Sequence, residues 1–182
     1  MRVVAGRFGG RTLRAPVGRD TRPTSDRVRE ALFSMLGPLD GARVLDLYAG
    51  SGALGIEALS RGAGHVTLVE RARPAQAAIE ANLAAIGAAP EEAVLVRGSA
   101  RAAVQDASRR GEAYDLVLLD PPYRHAAGLG RELSQSLARV LARGGRVVAE
   151  SDRRAPLDLT GLTLTHERRY GDTLIRIHLH DA

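Results

Sequence analysis

The 182-residue sequence predicts an α/β fold, in which a seven-stranded, mostly parallel sheet carries helices on both faces. Three observations predict this fold. Short apolar runs alternate with helical patterns from residue 43 to residue 150. A glycine-rich loop follows the first run, where α/β proteins bind ligands. The last two apolar runs have no helix between them, which favours an antiparallel C-terminal hairpin at one edge of the sheet.

Each predicted strand is a run of branched apolar residues, and each predicted helix has apolar positions three or four residues apart. The strands are expected at residues 44–47, 66–70, 94–96, 114–119, 146–150, 163–168 and 174–179. The helices are expected at residues 24–36, 52–61, 74–86, 100–109 and 129–141. This alternation predicts one continuous sheet in the main body of the protein.

The first 40 residues have a different pattern and predict a small N-terminal extension. Residues 1–19 alternate apolar and basic positions around several glycines, which is typical of a short β-hairpin. Helix-capping residues then precede the helix expected at 24–36, and Gly37 and Pro38 end it. We therefore divide the chain into this extension, residues 1–40, and a main body, residues 41–182.

Composition excludes several classes of protein. The sequence contains no cysteine, so it has neither disulfides nor a thiolate metal site, and the five histidines form no ligand cluster. We expect no metal. No apolar run approaches the length of a membrane span, and the N-terminus is unlike a signal peptide. We expect a cytoplasmic monomer.

Positive charge is concentrated in the extension. Residues 1–30 contain eight arginines and three acidic residues, a surplus of five that equals the net charge of the whole chain. A basic segment on a neutral body favours a polyanion partner, and nucleic acid fits better than a membrane, although a solvated basic surface is the alternative. The arginines expected to contact phosphates are Arg2, Arg7, Arg11, Arg14, Arg22, Arg27 and Arg29. We expect deletion of residues 1–20 to weaken nucleic-acid binding and to leave cofactor binding intact.

A candidate cofactor loop lies after the first strand. Gly50, Gly52 and Gly55 match the G-x-G-x-x-G pattern, and the acidic Glu70 ends the next strand. The pattern fits either a nicotinamide dinucleotide or S-adenosylmethionine. Asp46 favours S-adenosylmethionine, because a carboxylate attracts its sulfonium and ammonium groups and repels a pyrophosphate. Asp46 can also act by holding the amides of the loop.

A second candidate site follows the fourth strand. Asp120, Pro121, Pro122 and Tyr123 end an apolar run with an acid, two prolines and an aromatic ring. The prolines leave carbonyls free as acceptors, Asp120 adds a charged acceptor, and Tyr123 offers a face for stacking. This combination suits an exocyclic amino group of a nucleobase. A simple strand terminator is the alternative interpretation.

These motifs resemble those of a known family. Asp-Leu-Tyr-Ala-Gly-Ser-Gly at 46–52 with Asp-Pro-Pro-Tyr at 120–123 is similar to class I methyltransferases that use S-adenosylmethionine to modify amino groups. Arg-Pro-Thr-Ser-Asp-Arg-Val-Arg-Glu-Ala-Leu-Phe at 22–33, with Tyr-Gly-Asp-Thr at 170–173, resembles the RsmD family, bacterial 16S ribosomal RNA guanine-N2 methyltransferases. The resemblance spans nearly the whole chain.

The resemblance implies a Rossmann-like class I methyltransferase that modifies 16S rRNA in an assembling small ribosomal subunit, with S-adenosylmethionine as cofactor. It implies that the turn at 120–123 receives a flipped guanine as the catalytic site, and that Glu70 binds the ribose. The cofactor-binding residues it implies are Asp46, Tyr48, Gly50, Ser51, Gly52, Glu70, Arg71, Ser99 and Ala100. Ser99 stands where many related enzymes have an acid that binds adenine.

Three alternative functions remain open from the residues alone. A DNA adenine or cytosine amino-methyltransferase shares the Asp-Pro-Pro-Tyr turn, but little sequence remains for a target-recognition domain. A protein glutamine methyltransferase has a similar turn and needs no basic extension. A non-catalytic RNA-binding assembly factor with the same fold would not bind S-adenosylmethionine.

Overall fold

A computed structural model describes residues 1–17, 25–121 and 126–181 of the chain. The helices are α1 (Asp26–Leu36), α2 (Ala53–Ser60), α3 (Arg73–Ile86), α4 (Ala100–Arg109) and α5 (Ala126–Ala138). The strands are β1 (Arg43–Leu47), β2 (His65–Glu70), β3 (Ala93–Arg97), β4 (Tyr114–Leu119), β5 (Leu141–Asp152), β6 (Thr163–Tyr170) and β7 (Thr173–Leu179). None of the helices in these ranges is long and apolar enough to cross a membrane.

The seven strands form one sheet in the order β3-β2-β1-β4-β5-β7-β6. Strands β1 to β5 pair in parallel, whereas β7 pairs antiparallel with both β5 and β6. The predicted sheet and its antiparallel C-terminal hairpin are confirmed. From β1 the strand order runs one way to β2 and β3 and the other way to β4 and β5, so the topological switch point lies between β1 and β4. The carboxyl ends of these two parallel strands border the crevice where open α/β sheets bind ligands.

The largest difference from the predicted elements concerns β5. The prediction begins this strand at residue 146, but the strand begins at Leu141 and includes Gly144 and Gly145. Leu141 pairs with Tyr114 and Arg146 pairs with Leu116, so the glycines lie in an irregularity of the ladder. Helix α5 accordingly ends at Ala138, three residues before the predicted end.

Each face of the sheet has its own apolar core, because side chains of successive strand residues point to opposite faces. On one face, side chains of β1, β2, β4, β5 and β7 pack against apolar residues of α1, α2 and α3. On the other face, Leu45, Leu47 and Val117 pack with residues of α4 and α5. The α1 face also carries the acids of the candidate site.

The N-terminal extension shares the first of these cores. Val3, Phe8 and Leu13 are buried in the same apolar cluster as the sheet. The predicted hairpin is limited to one antiparallel bridge between Arg2 and Thr12, with Val3 N–H donating to the Arg11 carbonyl at 2.9 Å. The segment packs as an irregular strap, because its apolar residues are drawn into the core.

Two buried polar residues of α2 hold this strap. The Glu57 carboxylate accepts hydrogen bonds from the backbone N–H groups of Val4 at 2.7 Å and Ala5 at 3.1 Å. The Ser60 hydroxyl oxygen accepts from Phe8 N–H at 2.9 Å. A β-carbon on Gly6 would lie 1.9 Å from the Ser60 carbonyl oxygen, so only glycine fits there. The extension is thereby fixed against the body.

Candidate active site

The loop between β1 and α2, residues 48–52, is the core of the site, and we call it the glycine loop. Gly50 and Gly52 have positive φ angles of 59° and 79°. Tyr48 is the only residue other than glycine with a positive φ among the described residues, at 65°. Such a conformation strains a non-glycine residue and is common at functional sites. The strained backbone at Tyr48 therefore indicates that the glycine loop has a functional role beyond connecting β1 to α2.

Asp46 holds the start of the helix that follows the glycine loop. Its Oδ2 accepts a hydrogen bond from Gly55 N–H at 2.9 Å, in the first turn of α2. A β-carbon on Gly55 would lie 2.7 Å from Leu68 Cδ2 and 2.9 Å from Val66 Cγ1. Glycine at 55 thus lets α2 approach the sheet closely, which is the structural role of the third glycine in this motif.

The environment of Asp46 changes its acidity. Burial raises the pKa of this carboxyl group from 3.8 to about 7, the Gly55 amide opposes that rise, and the nearby Glu70 adds to it. Asp46 therefore keeps its proton to a higher pH than an exposed aspartate does. A cation placed beside it would favour the ionised form.

Glu70, at the end of β2, is bound to the glycine loop. Its Oε2 accepts from Gly50 N–H at 3.0 Å, and its Oε1 accepts from the N–H groups of Arg71 and Ala72 at 2.8 and 2.7 Å. The side chain is nearly buried. Because each carboxylate oxygen can accept two hydrogen bonds, Oε2 keeps room for a hydroxyl of a ligand.

Asp120 follows the last residue of β4 at the same edge of the sheet. It is half-buried, and Pro121 after it is buried. Pro122 and Tyr123, which belong to the predicted catalytic turn, lie outside the described residues. Loss of water around the Asp120 carboxyl group raises its pKa well above the ordinary value, and the charges of Glu150 and Asp46 add to that rise.

The site therefore includes an acid that sequence reasoning missed. Glu150 is buried near the end of β5, and its neighbour Ala149 pairs with Leu119, the residue before Asp120. Glu150 pairs with Ile175 of β7, whose side chain belongs to the core on the α1 face. The sequence signal that could have identified Glu150 is its position as an acid at the end of the strand predicted at 146–150. Its relation to Asp120 depended on the strand order.

Comparison with known proteins gives the family. The family described as conserved hypothetical protein 95 matches residues 1–179. Ribosomal RNA small subunit methyltransferase D of Escherichia coli strain K12 is 41% identical over 129 residues, which cover 68% of this chain and 61% of that protein. The chain belongs to the RsmD family. It is therefore a methyltransferase, and the predicted family and enzyme class are confirmed.

Two further relatives match the RsmD family protein over nearly its whole length. YlbH of Bacillus subtilis strain 168 is 39% identical over 181 residues, which cover 98% of each chain. The solved structure of Escherichia coli YhhF superposes with a TM-score of 0.83 at 34% identity, covering 100% of this chain and 98% of that one. The Rossmann-like methyltransferase fold is thus confirmed.

The remaining predicted cofactor residues of this RsmD family member differ in their surroundings. Ser99 is exposed and caps α4, its Oγ accepting from Ala102 N–H at 3.2 Å. Ala100 is buried at the start of α4, and Arg71 is exposed beside Glu70. The Ser51 hydroxyl lies 3.5 Å from Met1 Sδ, in the extension. Ser99 thus already has a structural role.

Most of the predicted RNA-binding arginines lie on the surface of the extension. The exposed ones are Arg2, Arg7, Arg11, Arg14 and Arg27. Two of them contact the main body: Arg7 forms an ion pair with Glu92 at 2.7 Å, and Arg11 donates to the Ala85 carbonyl at 2.9 Å. Arg22 lies outside the described residues. Exposure is compatible with phosphate contacts and leaves that role a prediction.

Arg29 departs from the prediction that it contacts RNA. Its side chain is 1% exposed and lies 3.6 Å from the fully buried Glu57 carboxylate. It also donates to Asp26 Oδ1 at 2.8 Å and to the Arg2 carbonyl. The helical spacing places it on the inner side of α1, so its charge balances a buried acid and is inaccessible to phosphate.

Proposed function

We propose that this RsmD family protein transfers a methyl group from S-adenosylmethionine to the N2 amino group of a guanine in 16S ribosomal RNA. One observation carries the proposal: Leu47 of β1 pairs with Leu119 of β4, so the glycine loop and Asp120 follow neighbouring strand ends at one edge of the sheet. The proposed methyl-donor loop and acceptor acid would therefore share one crevice. The name of the Escherichia coli relative supports small-subunit ribosomal RNA as the substrate.

The residues of the glycine loop fit S-adenosylmethionine. Asp46 is a buried carboxyl group whose pKa is raised by burial and by the charge of Glu70, so a sulfonium or ammonium group nearby would stabilise its ionised form. Glu70 Oε2 accepts one hydrogen bond from Gly50 and can accept another from a ribose hydroxyl. When bound, the donor would supply a methyl group on a cationic sulfonium, and the neutral thioether S-adenosylhomocysteine would be the leaving group.

Asp120 would act on the acceptor amino group. The N2 lone pair of guanine is delocalised into the ring, so the amino group needs positioning and an acceptor for its proton. The ionised Asp120 carboxylate would accept a hydrogen bond from this group and take up its proton as the nitrogen–methyl bond forms. The raised pKa makes this carboxylate a stronger base than an exposed aspartate.

The extension would bring the RNA to this crevice. Its exposed arginines can contact phosphates, which gives salt-dependent affinity that is largely independent of base sequence. Recognition of the correct guanine would then depend on the shape of the RNA, and the base would leave its stack to reach Asp120.

The test is methylation of defined substrates by the purified protein. Small ribosomal subunits from a strain lacking the enzyme, naked 16S rRNA, duplex DNA and ribosomal proteins are each incubated with S-adenosylmethionine. Mass spectrometry of the digested products is expected to show N2-methylguanosine in the rRNA samples alone. Methyl groups on adenine, on DNA or on glutamine, or a failure to bind S-adenosylmethionine by calorimetry, would reject the proposal.

A further inference from the structure

Asn82 is a buried polar residue that the proposed chemistry does not use. It lies in α3 and is 1% exposed. Its Nδ2 donates to the Ser51 carbonyl at 2.9 Å and to the Arg14 carbonyl at 3.0 Å. Its Oδ1 accepts from Arg14 N–H at 2.8 Å. The amide thus makes three hydrogen bonds to backbone groups of two separate segments.

These two segments are the glycine loop and the N-terminal extension. Ser51 lies between the two glycines with positive φ, and Arg14 lies at the end of the strap on α2. A second contact joins the same segments, because the Ser51 hydroxyl lies 3.5 Å from Met1 Sδ. Leu13 N–H donates to the Met1 carbonyl at 3.0 Å, so both contacts reach the same part of the extension.

Both partners of Asn82 depend on it for their hydrogen bonds. An asparagine amide has two donor hydrogens and one acceptor oxygen, and all of these functions are used here. Removal of the side chain would leave the Ser51 carbonyl without its hydrogen bond in a buried place, which costs more than the net value of the bond, and would also free both backbone groups of Arg14, whose bonds to Asn82 are partly buried. The loop conformation is consequently tied to the docked extension.

We propose that Asn82 is a positioning residue of the methyl-donor site, through which the N-terminal extension holds the glycine loop in its binding conformation. The proposal rests on the proposed function, in which this loop binds S-adenosylmethionine. It changes the expectation from the sequence that deletion of residues 1–20 leaves cofactor binding intact. The extension would be part of the donor site as well as a contact for RNA.

The control must separate this role from general stability. Ser60 is suitable, because it is equally buried and holds the same extension through Phe8 N–H and the Ala5 carbonyl. It has no contact with the glycine loop among those described. Asn82→Ala removes the link between the extension and Ser51, whereas Ser60→Ala removes contacts of the extension with α2 and leaves that link in place.

The probe is S-adenosylhomocysteine, titrated by calorimetry into wild type, Asn82→Ala and Ser60→Ala. We expect Asn82→Ala to weaken binding by about five- to tenfold, the effect of losing roughly one net hydrogen bond. Ser60→Ala should change it by less than about twofold at a similar loss of thermal stability. Hydrogen exchange of the peptide that covers residues 48–55 should become faster in Asn82→Ala alone.

Each result decides the matter. Wild-type affinity in a folded Asn82→Ala variant, or equal losses in both variants, would overturn the proposal and leave the proposed function standing. No binding to the wild-type protein would overturn both. If Asn82→Ala does not fold, Asn82→Ser replaces it, because a hydroxyl group is too short to reach both segments and is expected to weaken binding likewise.

Discussion

The Asp46 carboxylate accepts a hydrogen bond from the Gly55 backbone amide at 2.9 Å, across the base of the glycine loop. This contact joins the end of β1 to the first turn of α2, and it holds a carboxyl group of raised pKa beside the glycine loop. The two residues act as one unit, because a larger residue at 55 would displace the carboxylate that binds it. Two predictions concern this pair.

Asp46→Asn should remove a pH dependence of stability. The pKa of Asp46 is raised from 3.8 to about 7 in the folded state. The stability that the protonated carboxyl group contributes is therefore fully present below pH 4 and is lost as pH rises through 7. As pH rises from 5 to 8, the free energy of unfolding of the variant should therefore increase by up to about 3 kcal/mol relative to that of the wild type. Urea denaturation of both proteins at the two pH values measures this difference, and parallel pH profiles would contradict it.

Gly55→Ala should destabilise the protein. The added methyl group would lie 2.7 Å from Leu68 Cδ2 and 3.0 Å from Asp46 Oδ2. Such overpacking costs about 1–3 kcal/mol, more than alanine gains from its helix propensity. Thermal denaturation gives the comparison. Gly98→Ala is the control, because a β-carbon there meets nothing within 4 Å, and an equal loss in both variants would show that close packing at 55 is unimportant.

Asp120→Asn should lower methyl transfer by about 100-fold or more, the usual contribution of a general base. Binding of S-adenosylhomocysteine should stay within a small factor. Since the pKa of Asp120 is raised, the wild-type rate should increase as pH rises and the carboxyl group ionises. Methyl incorporation into undermethylated small subunits across pH measures both effects.

A matched control for that experiment lies at the other end of the same strand. Asp115 is exposed and its Oδ2 accepts from Arg43 N–H at 2.8 Å. Asp115→Asn should keep the activity and the pH profile of the wild-type protein. If Asp120→Asn is as active as this control, Asp120 has no part in the chemistry.

Substitution of two arginines of α1, Arg27 and Arg29, should affect RNA binding in one case and stability in the other. Arg27 is exposed, so Arg27→Ala should leave stability nearly unchanged. It should also reduce the slope of log RNA affinity against log salt concentration by about the amount expected for one phosphate contact. Arg29→Met should cost a few kcal/mol, because the buried Glu57 loses a charged partner. RNA affinity at several salt concentrations, together with melting temperature, tests both. A lower salt dependence for Arg29→Met than for Arg27→Ala would contradict this assignment.

Local patterns predicted most elements, because they depend on residues close in the chain. The limits of β4 and α4 were predicted to the residue, since Tyr114 begins an apolar run that only Asp115 interrupts, and Ser99 caps the helix. The start of β5 was wrong, because its first residues pair across an irregularity that depends on β4. Local pattern cannot show a pairing that another strand creates.

The sequence by itself determined the α/β fold, the family and the two motifs of the site, since strand periodicity, glycine spacing and the acid–proline turn are all local features. Only the tertiary structure decided which charges reach which partners. It buried Arg29 against Glu57, placed Glu150 beside Asp120, and tied Ser51 to the extension through Asn82. These relations join residues far apart in the chain, and they exist because packing and strand order bring those residues together.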